Sequence, residues 1–174
     1  MSACKIRSYN YVRAALFGKK PTAMNRIIGL RSKPHSHSEF QFSERYDGVS
    51  FSATTMDSSN CARFKQIGYS HETERWDTVV VTMTNSEEDL AYAEAKKIEG
   101  TPYDIIGQLC HISKLKIWKP SKKKTWCDKA VAAVVYAAKQ KFKAFIEKLG
   151  LINELRPDQL DMLARYYFRI SKKS

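Results

Sequence analysis

Trp126-Cys127-Asp128-Lys129-Ala130-Val131-Ala132-Ala133-Val134-Val135-Tyr136-Ala137-Ala138 decides the architecture. From Ala130 onward the stretch is apolar nearly all round, and a helix without a polar face has to be buried. Its cover lies upstream. Residues 76–83 (WDTVVVTM) are β-branched and apolar and read as a well-buried strand. Residues 36–42 alternate, with Phe40 and Phe42 on one parity and His35, His37, Glu39 and Gln41 on the other. Tyr46-Asp47-Gly48 is a hairpin turn, residues 49–53 alternate again, and residues 62–69 read as a further strand. The mixed residues 8–17 read as the first strand of the chain.

Helices surround this run. Thr22 caps a helix from Ala23, with Met24, Ile27, Ile28 and Leu30 as its apolar stripe, and Lys33-Pro34 ends it. Ser86-Glu87-Glu88-Asp89 is an acid-rich helix start whose Leu90, Ala91 and Ile98 face inward. Gly100 ends that helix. Thr101-Pro102-Tyr103-Asp104 opens the next, as a cap, a first-turn proline and an acid. Residues 112–124 are a basic loop, and Arg156-Pro157-Asp158-Gln159 starts a last helix ending near residue 168. A β-rich first half and an α-rich second half predict an α+β fold, an antiparallel sheet packed against helices, as one domain over residues 1–174.

Composition narrows the classes. With seven Gly and five Pro in 174 residues the chain is neither collagen-like nor low-complexity. No apolar stretch approaches the ~20 residues of a membrane span. Four cysteines, at 4, 61, 110 and 127, form no C-x-x-C pair, which excludes a zinc ribbon. Residues 1–10 carry no apolar secretory core, so the expected location is cytoplasmic, with free thiols.

The net charge of +12 is uneven. Residues 1–38 hold eight basic residues and no acid, residues 39–109 thirteen acids against six basics, and residues 110–148 eleven lysines against two acids. Such a surface predicts at most weak polyanion binding, because no nucleic-acid-binding signature accompanies it.

Two constellations carry chemistry. Cys127 starts the apolar helix, where the helix dipole and Lys122, Lys123, Lys124 and Lys129 favour a thiolate and so a fast-reacting thiol. Against this stands the habit of free cysteines to be core residues. The other is His35-Ser36-His37-Ser38-Glu39, whose three polar side chains project from one face if the strand is regular. That set suits a metal site, or an imidazole base oriented by a carboxylate, or simply a polar strand facing water. Cys110 reads as core, Cys61 as an exposed thiol, and His71 and His111 have no partner in sequence. Thiol and imidazole together are the parts of a papain-like hydrolase.

The order and spacing of these motifs resemble the circularly permuted NlpC/P60 (papain-like) thiol hydrolases, a group with YiiX/YaeF-like, phage and poxvirus members. Ser36-His37-Ser38-Glu39-Phe40 resembles the group's S-H-x-E strand, and Gly48-Val49-Ser50-Phe51-Ser52-Ala53 its second strand. Gly100 to Gly107 resembles its G-x-x-Y-D-x-x-G helix start, Trp126-Cys127-Asp128-Lys129-Ala130-Val131 its nucleophile helix, and Arg156-Pro157-Asp158-Gln159-Leu160 a late helix start. Asp128-Lys129 departs from the more usual Ser-Glu. The resemblance implies a papain-like permuted fold without cofactor or metal. In it Cys127 attacks a carbonyl carbon, His37 acts as base and then acid, and Glu39 orients His37. The Cys127 backbone N–H would serve the oxyanion, and Tyr103 and Trp126 would line the substrate pocket. The substrate would be a peptide, amide or acyl compound, and the site of action the cytoplasm, a host cell's for a phage or viral protein. Two alternatives remain: a non-catalytic basic binding protein on the same scaffold, and a metal-dependent hydrolase using His35, His37 and Glu39. The sequence leaves the oligomeric state open.

Overall fold

The computed structural model describes residues 1–18, 20, 22–55, 57–69, 73–113, 121, 123–152 and 155–170. Five strands and seven α-helices lie among them. Chain order is β1 (Ser2–Asn10), α1 (Tyr11–Leu16), α2 (Ala23–Ser32), β2 (His35–Gln41), β3 (Ser50–Ala53), β4 (Ala62–Lys65) and β5 (Trp76–Met83). Then come α3 (Asn85–Ile98), α4 (Ile105–Ser113), α5 (Cys127–Ala138), α6 (Gln140–Lys148) and α7 (Pro157–Ile170). The strands form one sheet in the order β4-β3-β2-β1-β5, and every pairing is antiparallel. The fold is therefore α+β with an antiparallel sheet.

The first strand differs from the expectation. It spans Ser2–Asn10 rather than residues 8–17, and it sits between β2 and β5. Cys4 and Ile6 supply its buried stripe, while Lys5 and Arg7 mask the alternation in sequence. Asn10 then turns the chain, because its side chain accepts from the Arg13 N–H and caps α1.

Residues opposite one another in antiparallel strands share a face. On one face lie Cys4, Ile6, Phe40, Phe51, Phe64, Val79 and Val81. This face joins Ala91 and Ala95 of α3 and Ala130, Val131, Val134 and Val135 of α5 in the hydrophobic core. Alanines let α3 and α5 pack against each other as α5 covers β2 and β3. Burying each large side chain here is worth roughly 1.5–3 kcal/mol. The other face carries Arg7, Tyr9, His37, Glu39, Gln41, Ser50, Ser52 and Arg63. Along β5 the core side is covered at Val79, Val81 and Met83, while on the other side Trp76 is buried and Val80 is 39% exposed.

Four helix details depart from the sequence reading. Leu90 points out, at 55% exposure, while Ala91 and Ala95 take the inner face of α3. The cap of α3 is Thr84, which exchanges hydrogen bonds with Glu87 in a capping box. Residues 101–104 precede α4 instead of forming its first turn. Pro102 bridges to Cys61 and Tyr103 to Thr125, which ties the start of α5 to the start of β4. Helix α6, with Phe142 and Ile146 buried, has no counterpart in the sequence reading. His71, Lys122 and most of the basic loop lie outside the described residues. Among the described residues no helix is long and apolar enough to cross a membrane.

Candidate active site

Strand β2 is paired with β3 only at Phe40 and Gln41, so residues before Glu39 leave one edge of β2 unpaired with β3. The start of α5 meets that edge. The Ser38 backbone hydrogen-bonds the Cys127 thiol, and Ser38 lies between His37 and Glu39. The start of α5 thus meets the β2 backbone at Ser38, while the His37 and Glu39 side chains leave the strand on the face opposite the hydrophobic core.

His37 Nε2 lies 3.1 Å from Glu39 Oε1, and both side chains are buried. Glu39 is held by more than the imidazole. The Tyr69 hydroxyl donates to its Oε2 at 2.5 Å, and an Arg63 amine nitrogen stands 3.9 Å from Oε1. Tyr69 is itself fixed by Ser50 at 2.7 Å and by the Arg7 guanidinium, 3.9 Å above its ring. Burial pushes the Glu39 carboxyl up, but His37, Tyr69 and Arg63 together hold it below its usual value. The result is a buried carboxylate gripping one imidazole nitrogen and leaving Nδ1 as the other. Trp76 packs edge-on against the His37 ring.

His35 has a different environment. The register shifts between Tyr9 and Asn10: Tyr9 pairs with His37, yet Asn10 pairs with His35, so Ser36 is the extra residue of a bulge. The bulge turns His35 to the face of Asn10, away from His37. There His35 Nε2 meets Asp77 Oδ2 at 2.7 Å, and Asn10 and Arg13 complete the Asp77 carboxylate. The expectation that His35, His37 and Glu39 share one face is wrong for this reason, and the metal-dependent alternative loses its ligand set. Among the described residues no group of three or more His, Cys, Asp or Glu side chains is placed to hold a metal.

The thiol side is closed. Cys127 is 0% exposed, and its thiol donates to Asp128 Oδ1 at 3.3 Å. The Gln108 amide nitrogen lies 3.9 Å from Sγ, and Tyr103 holds that amide by donating to Gln108 Oε1 at 2.6 Å. Burial raises the thiol well above its ordinary value, and the Asp128 carboxylate adds to this; the Ser38 backbone works in the other direction. The expectation of a thiolate poised by the helix start and lysines is therefore reversed. Among the described residues the nearest charge is an acid, and the Lys129 ammonium is engaged by the Lys124 carbonyl and the Trp126 ring. Tyr103 and Trp126 do not line an open pocket; both are buried. Tyr103 instead orients Gln108.

Gln108 stands in this site on α4, and Asp104 fixes the start of that helix. One Asp104 oxygen accepts from the Gly107 N–H and the other from the Ser121 N–H, each at 2.9 Å. A Cβ at position 107 would sit 2.3 Å from the Asp104 carboxylate, so only glycine fits the close approach. Sequence reasoning missed Gln108, Tyr69 and Arg63. A signal existed for Gln108, a lone amide within the apolar Ile105-Ile106-Gly107-Gln108-Leu109. Tyr69 and Arg63 are brought to Glu39 by tertiary pairing alone. Of the other cysteines, Cys4 is buried against Glu88, while Cys61 and Cys110 are partly exposed.

No family model matches the chain, and neither curated proteins nor solved structures give a match.

Proposed function

We propose that the chain is a cysteine hydrolase of the papain-like, permuted NlpC/P60 type, acting on an amide, peptide or ester bond. One observation carries the reading: the Cys127 thiol is hydrogen-bonded by the backbone of the residue between His37 and Glu39. In the reaction the Cys127 S–H proton passes to His37 Nδ1 as sulfur attacks the carbonyl carbon. Glu39 stays ionised on Nε2 and stabilises the imidazolium. The oxyanion accepts from the Cys127 backbone N–H and from the Gln108 amide, which Tyr103 has already turned toward sulfur. His37 then protonates the leaving group, and water, activated by His37, releases the acyl group from the thioester. For this the thiol has to leave Asp128 and a carbonyl has to reach a covered sulfur, so substrate entry displaces side chains around α4 and α5.

The test is a screen of chromogenic esters and fluorogenic amides, with intact mass read for an acyl adduct on Cys127. Turnover or an adduct lost in Cys127→Ala supports the reading. A covered, protonated thiol also favours a second reading, a non-catalytic basic binding protein on this scaffold. Absence of any adduct, together with salt-dependent retention on a polyanion resin, would select that one.

A further inference from the structure

Asp128 is 1% exposed and adjoins the Cys127 thiol. Its Oδ1 accepts the Cys127 thiol hydrogen at 3.3 Å, and its Oδ2 has no aligned donor among the described residues. We propose that Asp128 is a positioning residue for the nucleophile: it takes the thiol hydrogen bond and holds Cys127 protonated in a resting form. The inference bears on catalysis through the reading of Cys127 as nucleophile, but the restraint itself is a property of the thiol and is measured there.

Among the described residues the surroundings supply no counter-charge that would free the sulfur. From β2 comes the Ser38 backbone, with His37 and Glu39 on either side paired to each other. From the segment before α4 comes the Tyr103 hydroxyl, and from α4 the neutral Gln108 amide. From α7 comes Asp158, a second acid, whose field disfavours charge on Asp128. Trp126 precedes the pair on α5, and Lys129 faces Lys124 and the indole. Burial first of all, and then Asp158, lift the Asp128 carboxyl to about 7.

Thiol and carboxylate therefore share one proton over a range of pH. Thiol with carboxylate, and thiolate with carboxylic acid, are isomers that differ only in where that proton sits. The reactive isomer is a fixed fraction of the total once the first proton has left the pair. Alkylation of Cys127 is then expected to climb with pH and to flatten above about pH 7, whereas an isolated thiol climbs one decade per pH unit until its own ionisation.

The experiment is site-resolved mass spectrometry of iodoacetamide labelling between pH 5.5 and 9.5, on the full chain and on Asp128→Asn. Cys4, buried and raised to about 12, reports on opening of the fold. Expected are a flattened wild-type profile, a profile of unit slope in Asp128→Asn, and a rate at pH 8 raised by roughly tenfold, the effect of one pKa unit. Cys4 stays protected in both. Unchanged or slower labelling of Cys127 in Asp128→Asn overturns the proposal. If that variant unmasks Cys4 as well, the wild-type protein decides alone, and a straight wild-type profile of unit slope overturns the restraint. Hydrolysis can survive that outcome, and the restraint can stand in a protein that hydrolyses nothing, so the two readings fail separately.

Discussion

Glu39 and Asp128 are two buried carboxyls, one beside His37 and the other beside Cys127, and they end in opposite states. Glu39 has an imidazole, a phenol and a guanidinium around it and is held ionised. Asp128 has a thiol, an indole and its own backbone, none of them charged, and burial with the nearby Asp158 lifts its carboxyl to about 7. Burial is nearly equal in the two, so the count and charge of donors decides the outcome. The lesson is that the acid gripping His37 is built to stay charged, while the acid gripping Cys127 is poised near neutrality. In the proposed hydrolase reading, Glu39 orients the base and Asp128 keeps the nucleophile at rest.

The largest expected effect removes the nucleophile. Cys127→Ala is expected to lower turnover of any substrate found in the screen by roughly three orders of magnitude or more. His37→Ala is expected to do nearly the same. Circular dichroism and melting curves check that each fold survives. A Cys127→Ala protein with full turnover would break the comparison, because Asp128 would then hold a bystander.

Next comes stability against pH, where the two carboxyls carry opposite signs. The Glu39 value is lowered on folding, so its contribution is fully present above about 4.5 and is lost as pH falls through the folded value. The Asp128 value is raised from 3.8 to about 7, so the folded state binds the extra proton between those limits. Its ionisation costs nothing below 3.8, and the cost grows as pH rises to 7. Across that window the cost is on the order of a few kcal/mol. Urea melts at pH 4.5 and pH 8 measure it: Asp128→Asn is expected to improve relative to wild type on going to pH 8. Glu39→Gln removes a benefit already in place at pH 4.5, so its deficit is expected to be similar at the two pH values and to shrink only in melts taken at more acidic pH, toward the lowered Glu39 value. Equal pH dependence in wild type and Asp128→Asn would refute the raised carboxyl.

The positions of these side chains were unevenly legible in the sequence. Trp76–Met83, Cys127–Ala138 and the hairpin around Gly48 follow from local pattern, because β-branching, an all-apolar run and turn residues act over a few positions. His37 and Glu39 follow from period two on one strand. His35 does not, because the bulge at Ser36 arises from how β2 registers on β1, and a one-residue slip flips a side chain. The first strand was displaced for a related reason: Lys5 and Arg7 look like surface charges, yet Arg7 is buried on the polar face and bonds Gln41 and Thr78. The setting of Cys127 was misread because nearby lysines in sequence were counted as nearby in space. Burial and Asp128 outweigh them.

His35→Ala separates the two histidines. It strips Asp77 of one partner and opens a small cavity, at an expected cost of about 2–3 kcal/mol by denaturant melting. Turnover per folded molecule is expected to change little, because the bulge aims His35 away from His37 and Glu39. Loss of activity equal to that of His37→Ala, with stability intact, would give the two imidazoles a common task and undo the distinction.

Tyr69→Phe makes the smallest change and bears directly on why Glu39 stays charged. The ring keeps its shape, its contact with Trp76 and its place under the Arg7 guanidinium. Only the hydroxyl goes, and with it the hydrogen bond to Glu39 Oε2 and the link to Ser50. A buried hydrogen bond to a charged acceptor is worth about 1.5–3 kcal/mol, part of which the remaining donors recover. The Glu39 carboxyl is then expected to rise, because one of the groups that offset its burial has been removed. A less firmly ionised Glu39 stabilises the imidazolium less well, so the acid limb of the pH–rate profile is expected to move to lower pH. Turnover at neutral pH falls only a few-fold, with KM unchanged, because Tyr69 touches no substrate. The same shift is read without any substrate by following the His37 ring proton in NMR titration. An unchanged acid limb together with an unchanged His37 titration would show that Arg63 and His37 alone hold Glu39, and that donor number matters less here than the guanidinium charge.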